Sequence, residues 1–173
     1  MTRPFRSIAT RPAERGGPEL SRISLGTANF GSQWGPRWTL EKRDALRLAA
    51  RAVERGVTAF DTANVYNKGE SELWLGGVLR ALKLSNRVLV TTKYGYLSNP
   101  DDPDSGGSGR KAMRRAVDMS LKRLGRDHVD MLYLHLWDRT TPVEETLAAA
   151  AELVEAGKVR AFGLSNAPAW YVA

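Results

Sequence analysis

Short apolar segments that predict β-strands alternate along this chain with amphipathic segments that predict α-helices, and this alternation constrains the fold more than any other feature. Five strands are predicted, and their ends recur about 30 to 42 residues apart. Four helices, with apolar residues at intervals of three and four, separate the strands. A repeated order of strand, helix and strand is typical of a parallel sheet with helical crossovers. The predicted strands are Ile23–Thr27, Val57–Ala63, Val88–Lys93, Val129–His135 and Val159–Ser165.

The boundaries of these elements follow from capping and turn residues. Thr39 is the expected N-cap of the first helix, in which Leu48 belongs to the apolar stripe that should face the core. Residues 141–144, TPVE, match a capping box at the start of the fourth helix. Residues 1–20 are polar, basic and interrupted by proline and glycine, so we expect a flexible lead-in, followed by one domain over residues 21–173.

Two architectures can be built from such units: a doubly wound sheet and a barrel. Gly107, Gly109 and Ala112 match the dinucleotide-binding fingerprint of doubly wound folds, but more than a dozen residues separate Lys93 from Gly107. That fingerprint needs a tight turn directly after its strand. Polar groups at the ends of five strands favour the barrel, which collects its catalytic groups from many strand ends. We therefore predict an α/β fold of the TIM (β/α)8 type.

The composition excludes several classes of function. The net charge of +7 could attract nucleic acid, but the charges are distributed over separate helices, so we expect no nucleic-acid partner and rather an anionic ligand such as a dinucleotide phosphate. There is no apolar run long enough to cross a membrane and no signal core, which predicts a cytoplasmic protein without a membrane partner. The absence of cysteine removes thiolate metal sites and cysteine nucleophiles, and we expect no metal.

Three predicted strand ends carry four groups suited to acid chemistry, namely Asp61 and Tyr66 at the first, Lys93 at the second and His135 at the third. A nearby ammonium group lowers the pKa of a tyrosine, so Lys93 could make Tyr66 a usable acid. Asp61 would keep Lys93 charged, and the His135 imidazole could donate a hydrogen bond to a substrate oxygen. Each residue alone has a plain structural explanation as a turn cap, surface group or core histidine. Their joint occurrence at strand ends favours a catalytic site.

The residues that carry this chemistry lie in motifs that resemble those of the aldo-keto reductases, in particular the branch of aryl-alcohol-dehydrogenase-like enzymes. The resemblance extends over nearly the whole chain from Ser21 onward. It implies a TIM barrel that uses NADPH to reduce a small-molecule carbonyl substrate, with aromatic or aliphatic aldehydes expected. The matching motifs are LGT, FDTANVY, GESELWLG, TTKYG, SLKRLGRDHVDMLYLH, TPVEETL and ELVEAGKVRAFGLSN.

The same resemblance implies a role for each site residue. Tyr66 would donate the proton, Lys93 and Asp61 would tune the pKa of Tyr66, and His135 would orient the carbonyl group. Other residues would contact the cofactor and the substrate. Ser165 and Asn166 are expected at the nicotinamide carboxamide, Thr27 and Asp61 near the same cofactor, and Trp34 and Trp137 at the substrate pocket, although each tryptophan could equally cover the barrel rim.

A complete barrel of this class has eight βα units and about 250 residues, whereas this sequence predicts about five units in 173 residues. We therefore expect a truncated barrel with impaired activity, because the groups that grip the cofactor phosphates would be missing. Two alternatives stay open at this point: a non-catalytic NADPH-binding or regulatory subunit, and a fragment that completes its barrel with another chain. Unclosed sheet edges could also lead to self-association.

Overall fold

The computed structural model describes residues 10–13 and 17–172 of the chain. Within the predicted lead-in it contains two antiparallel strands, β1 (Thr10–Ala13) and β2 (Gly17–Ser21). The structure thus replaces part of the expected irregular segment with a paired ribbon. The remainder of the predicted lead-in, residues 1–9 and 14–16, lies outside the described residues.

The main sheet has five parallel strands whose spatial order is the same as their order in the chain. A doubly wound sheet reverses its strand order at a switch point, whereas a barrel does not. The observed order therefore confirms the predicted barrel-type architecture in its partial form, with β3 and β7 at the two edges of the sheet. The strands are β3 (Ser24–Gly26), β4 (Ala59–Asp61), β5 (Leu89–Tyr94), β6 (Met131–Leu134) and β7 (Phe162–Leu164).

Helices cover the outer face of this sheet and form the core with it. The buried side chains between the two layers include Phe60 and Leu132 from the strands, and Leu75 and Met113 from the helices. Their burial follows the period of two in the strands and the three- and four-residue spacing in the helices. The helices are α1 (Lys42–Glu54), α2 (Glu70–Ala81), α3 (Arg110–Leu124), α4 (Val143–Glu155) and the short α5 (Ala169–Val172).

Two predicted helix caps are wrong. The N-cap of α1 is Glu41 rather than Thr39, because the Leu40 amide donates to the Asn29 carbonyl and keeps the chain extended up to the helix. The hydroxyl group of Thr39 donates to the Gly35 carbonyl instead. Leu48 was expected to face the core but is 40% exposed, since α1 lies at the end of the row of helices and buries only Ala45 and Ala49 fully.

The predicted capping box of α4 does not form either. Pro142 is the N-cap residue, and no side chain caps the helix. The Thr141 hydroxyl donates to the Asp138 carboxylate at 2.6 Å, and that carboxylate also accepts from the Thr140, Thr141 and Ser108 amides. These bonds hold the pKa of Asp138 below its ordinary value, although burial acts to raise it. Asp138 therefore fixes the β6–α4 loop against the segment that precedes α3.

An ionic cluster lies at the amino-terminal end of the sheet. Asp130 is almost completely buried there, and its carboxylate accepts hydrogen bonds from the Val90 amide at 2.8 Å, from Arg160 at 2.9 Å and from Arg126 at 3.2 Å. A buried carboxylate requires such partners because an isolated charge in the interior is strongly destabilising. The cluster joins the first residues of neighbouring strands. None of the helices in the described part of the chain has the length and apolar character needed to cross a membrane.

Two adjacent glycines of α2 have opposite environments and provide a matched stability test. A Cβ atom on Gly76 would lie 2.3 Å from the Leu124 carbonyl oxygen, whereas one on Gly77 would meet nothing within 4 Å. We expect Gly76→Ala to lower the free energy of unfolding by about 2 kcal/mol, because α2 and α3 must separate. Gly77→Ala should raise it by about 0.5 to 1 kcal/mol through helix propensity. Urea unfolding of both variants measures the difference, and equal effects would show that the helices do not approach this closely in solution.

Candidate active site

The Lys93 ammonium group is the centre of the candidate site. Its Nζ atom donates to Asp61 Oδ2 at 2.6 Å, to the Thr62 carbonyl at 2.8 Å and to Tyr66 Oη at 3.3 Å. The Lys93 side chain is only 11% exposed, so these contacts replace most of its hydration. The structure thus brings together the amine, the carboxylate and the phenol that the sequence analysis predicted as a group.

The register of the sheet explains why Asp61 and Lys93 meet. Asp61 of β4 pairs with Thr91 of β5, and Lys93 lies two residues further along the same strand. Side chains two residues apart point to the same face of a strand, so Lys93 projects from the same face of the sheet as Thr91 and Asp61. The Thr91 hydroxyl donates to Asp61 Oδ1 at 2.7 Å, which leaves Oδ2 for the ammonium group.

Thr27 supports this arrangement from behind. Its hydroxyl donates to the Asp61 carbonyl at 2.9 Å and lies 3.0 Å from the Ser71 hydroxyl. The side chain is completely buried. The role of Thr27 in cofactor binding stays a prediction. The contacts that the structure shows hold the Asp61 backbone in place.

His135 lies directly after β6 and next to Tyr66. The two rings are 5.7 Å apart between centroids and nearly perpendicular. The His135 amide donates to the Tyr94 carbonyl at 2.7 Å, which fixes the backbone at the end of the strand. Burial and the charge of Lys93 lower the pKa of His135, and Asp61 offsets part of this effect. The imidazole is therefore neutral at neutral pH and able to donate one hydrogen bond.

Tyr96 is a site residue that the sequence analysis missed. Its ring packs edge-on against His135 at 4.7 Å between centroids, on the loop that follows β5. Tyr96 is exposed, so it forms part of the rim. The TTKYG motif ends one residue before Tyr96. Extending the motif by that residue, into the loop after the strand, would have indicated an aromatic group at this position.

Ser165 and Asn166 lie just beyond β7, beside the end of β6. The Ser165 amide donates to the Leu134 carbonyl at 2.9 Å, and the Asn166 side chain donates to the His135 carbonyl at 2.7 Å. Asn166 has a left-handed backbone with φ of 50° and is exposed. Both predicted carboxamide ligands thus lie at the same end of the sheet as His135.

The two predicted pocket tryptophans have different neighbours. Trp34 is 43% exposed and packs edge-on against Tyr66, with 6.0 Å between ring centroids. Trp137 packs against Trp170 and Tyr171 of α5, at 4.9 and 5.5 Å. Trp34 is therefore next to the candidate proton donor, whereas Trp137 belongs to an aromatic cluster further along the rim. Their contact with substrate stays a prediction.

Comparison with known proteins is consistent with this geometry. Residues 22–173 match the model of the aldo/keto reductase family. The norsolorinic acid reductase stcV of Emericella nidulans is 39% identical in an alignment of 163 positions, which covers 91% of this chain and 42% of that protein. The putative aryl-alcohol dehydrogenase AAD14 of Saccharomyces cerevisiae is 31% identical in an alignment of 188 positions including gaps, which covers 99% of this chain and 50% of that protein.

A solved structure matches the fold. The aldo-keto reductase AKR11C1 from Bacillus halodurans, in its holo form, superposes with a TM-score of 0.77 at 25% identity. The match covers 92% of this chain and 50% of that structure. The chain thus spans about half the length of the relatives it matches. Because the family model matches residues 22–173 and the sheet is of the barrel type, this chain belongs to the aldo/keto reductase family.

Proposed function

We propose that this chain carries the catalytic centre of an NADPH-dependent oxidoreductase that reduces the carbonyl group of an aldehyde or ketone to an alcohol. The observation that carries the proposal is the 3.3 Å contact between Lys93 Nζ and Tyr66 Oη, on a lysine that also binds Asp61 at 2.6 Å. A phenol held next to a buried ammonium group is suited to release a proton, because the positive charge stabilises the phenolate that remains.

Reduction of a carbonyl group requires a hydride at carbon and a proton at oxygen. NADPH supplies the hydride when it is bound. Tyr66 donates the proton to the carbonyl oxygen, and Lys93 stabilises the resulting phenolate until it is protonated again from solvent. The neutral His135 imidazole, with its ring 5.7 Å from that of Tyr66, donates a hydrogen bond that orients the same oxygen.

The groups at the end of β7 fit a nicotinamide carboxamide. The Asn166 amide nitrogen donates to the His135 carbonyl and to the Ser165 hydroxyl, which leaves the Asn166 carbonyl oxygen as an acceptor and the Ser165 hydroxyl as a donor. Asn166 is exposed at the sheet end that carries His135. We assign Ser165 and Asn166 to this carboxamide, with Asp61 nearby. The cofactor phosphates would bind to units beyond β7, in agreement with the usual phosphate site of such barrels.

We propose aromatic or aliphatic aldehydes as substrates. Trp34 presents an aromatic ring next to Tyr66, and Tyr96 presents one next to His135, and such surfaces favour planar apolar groups. The relatives named for aryl-alcohol dehydrogenation and norsolorinic acid reduction support this choice. The cytoplasmic location, the lack of a nucleic-acid partner and self-association through the edges of β3 and β7 stay predictions from the sequence.

The proposal can be tested by completing the barrel. We expect a fusion of residues 1–173 to the part of stcV that follows its matched region to oxidise NADPH in the presence of benzaldehyde, at about one turnover per second or faster. The 173-residue chain alone should be much slower. The fall in NADPH absorbance measures both rates. A fusion that binds NADPH, as judged by its fluorescence, but reduces no aldehyde or ketone would contradict the proposal and favour a non-catalytic role.

A further inference from the structure

Three consecutive residues with left-handed backbone conformation follow Tyr66. The φ angles of Asn67, Lys68 and Gly69 are 48°, 56° and 90°. Residues other than glycine rarely adopt this region because the Cβ atom approaches the following carbonyl group, and asparagine tolerates it best. Lys68 is exposed, whereas Asn67 is completely buried. The left-handed conformation therefore turns the Asn67 side chain into the protein directly next to the candidate proton donor.

The buried Asn67 amide binds the β3–α1 loop at two points. Its nitrogen donates to the Ala28 carbonyl at 2.7 Å, and its oxygen accepts from the Trp34 amide at 3.0 Å. Between these points the loop touches Asn67 directly, because a Cβ atom on Gly31 would lie 2.5 Å from Asn67 Cβ. One side chain thus closes the loop from residue 28 to residue 34 over the turn that carries Tyr66.

Glu70 adds a second attachment of the same loop. Its carboxylate accepts from the Ser32 amide at 2.6 Å, from the Ser32 hydroxyl at 2.9 Å and from Gln33 at 3.2 Å. The Glu70 bonds are exposed, so water competes with them, whereas the Asn67 bonds are partly buried and come from a fully buried side chain. We therefore regard Asn67 as the stronger of the two attachments.

The two hydrogen bonds from Asn67 to the Ala28 carbonyl and the Trp34 amide, which we call the Asn67 clasp, determine where Trp34 lies relative to Tyr66. The Trp34 backbone is held by the residue that immediately follows Tyr66, and the two rings lie 6.0 Å apart at 72°. Trp34 is only partly covered by protein, so packing alone does not fix it. A substrate ring that binds between Trp34 and the catalytic groups needs this separation to be constant.

We propose that Asn67 is a positioning residue that sets the width of the substrate pocket and thereby favours aromatic over small aliphatic carbonyl compounds. The proposal rests on the proposed function, since it assumes that a carbonyl substrate is protonated by Tyr66 beside Trp34. A correctly placed indole favours an aromatic substrate by about tenfold in kcat/KM, the contribution of one aromatic contact. A small aliphatic aldehyde does not use this contact.

The test compares Asn67→Gly with Lys68→Gly in the fusion enzyme described above. Both variants replace a left-handed residue with glycine, but only the first removes the clasp. Hydrogen exchange of the Trp34 amide should become at least tenfold faster in Asn67→Gly, because its acceptor is lost, and should not change in Lys68→Gly. Asn67→Asp, which keeps the oxygen acceptor but cannot donate to Ala28, serves as a second variant if Asn67→Gly does not fold.

The kinetic measurement is the ratio of kcat/KM for benzaldehyde to that for propanal. We expect this ratio to fall about tenfold in Asn67→Gly, mainly through a higher KM for benzaldehyde, and to change less than twofold in Lys68→Gly. In a Trp34→Ala background Asn67→Gly should have no further effect on the ratio, since the two residues act together. A role in folding alone would affect both substrates equally.

The outcomes separate the two proposals. An unchanged ratio, or a Trp34 amide that stays protected in Asn67→Gly, would overturn the positioning role of Asn67. A parent fusion that reduces neither aldehyde would overturn the proposed function and with it the effect on selectivity. In that case fast exchange of the Trp34 amide in Asn67→Gly, with no change in Lys68→Gly, would still establish the clasp as a structural feature.

Discussion

Replacing Tyr66 with phenylalanine should lower the rate of carbonyl reduction by about a hundredfold or more, the usual contribution of a positioned general acid. The variant loses the hydroxyl group that Lys93 contacts at 3.3 Å, but it keeps the ring that packs against Trp34 and His135. The pocket should therefore hold its shape, and NADPH binding should not change. The loss should appear in kcat and kcat/KM alike, because the interaction forms in the transition state.

Single-turnover measurements with a completed barrel test this expectation, since they report the chemical step rather than product release. Tyr96→Phe is the matched control. It removes the phenolic hydroxyl of the other tyrosine that contacts His135 and retains the ring contact at 4.7 Å. We expect this control to stay within a few-fold of the parent enzyme. Unchanged turnover in Tyr66→Phe would remove Tyr66 from the mechanism.

Replacing Glu72 with alanine should lower the free energy of unfolding by about 3 kcal/mol, a large part of the stability of a typical domain. The Glu72 side chain has no exposed surface, and its carboxylate accepts from Thr92 of β5 and from Arg123 of α3, both at 2.6 Å. Removing it leaves a buried hydroxyl and a cation without partners. Arg123 is 22% exposed and can turn partly toward water. We therefore expect a loss of unfolding free energy at the lower end of the range for breaking a buried ion pair.

Urea unfolding measures this effect, with Glu54→Ala as the control. Glu54 forms a pair with Arg51 at 2.9 Å on the surface of α1, where both side chains are exposed. An exposed pair contributes at most about 0.5 kcal/mol. If the two variants were equally stable, the Glu72 pair would be open to solvent rather than part of the core.

Much of the candidate site follows from local sequence patterns. The alternation of strands and helices fixes a parallel sheet, and parallel strands deliver their final residues to one end. Asp61, Lys93 and His135 are therefore brought together by elements that the pattern predicts. The pattern does not place Tyr66, because it lies in a turn whose path no periodicity defines, and its role as the proton donor stays a prediction.

The features that the sequence did not reveal depend on contacts between distant residues. Asn67 reads as an ordinary turn residue, and its clasp needs a partner 39 residues earlier in the chain. Thr39 and Thr141 have the chemistry of helix caps, but Gly35 and Asp138 offer them other partners. Trp34 and Trp137 both lie on loops that follow predicted strands, but the structure packs Trp137 against α5. In each case tertiary contacts override a correct local preference.

The buried cluster around Asp130 lies at the end of the sheet opposite to Tyr66 and Lys93. Its ion pairs hold the beginnings of the strands, whereas the candidate catalytic groups lie at the other end, on the strand ends and the residues that follow them. Directed evolution of substrate range can therefore randomise the β3–α1 and β5–α3 loops as one library while Asp130, Arg126 and Arg160 are kept constant. The stability of the sheet and the shape of the pocket can therefore be altered by substitutions at different ends of the molecule.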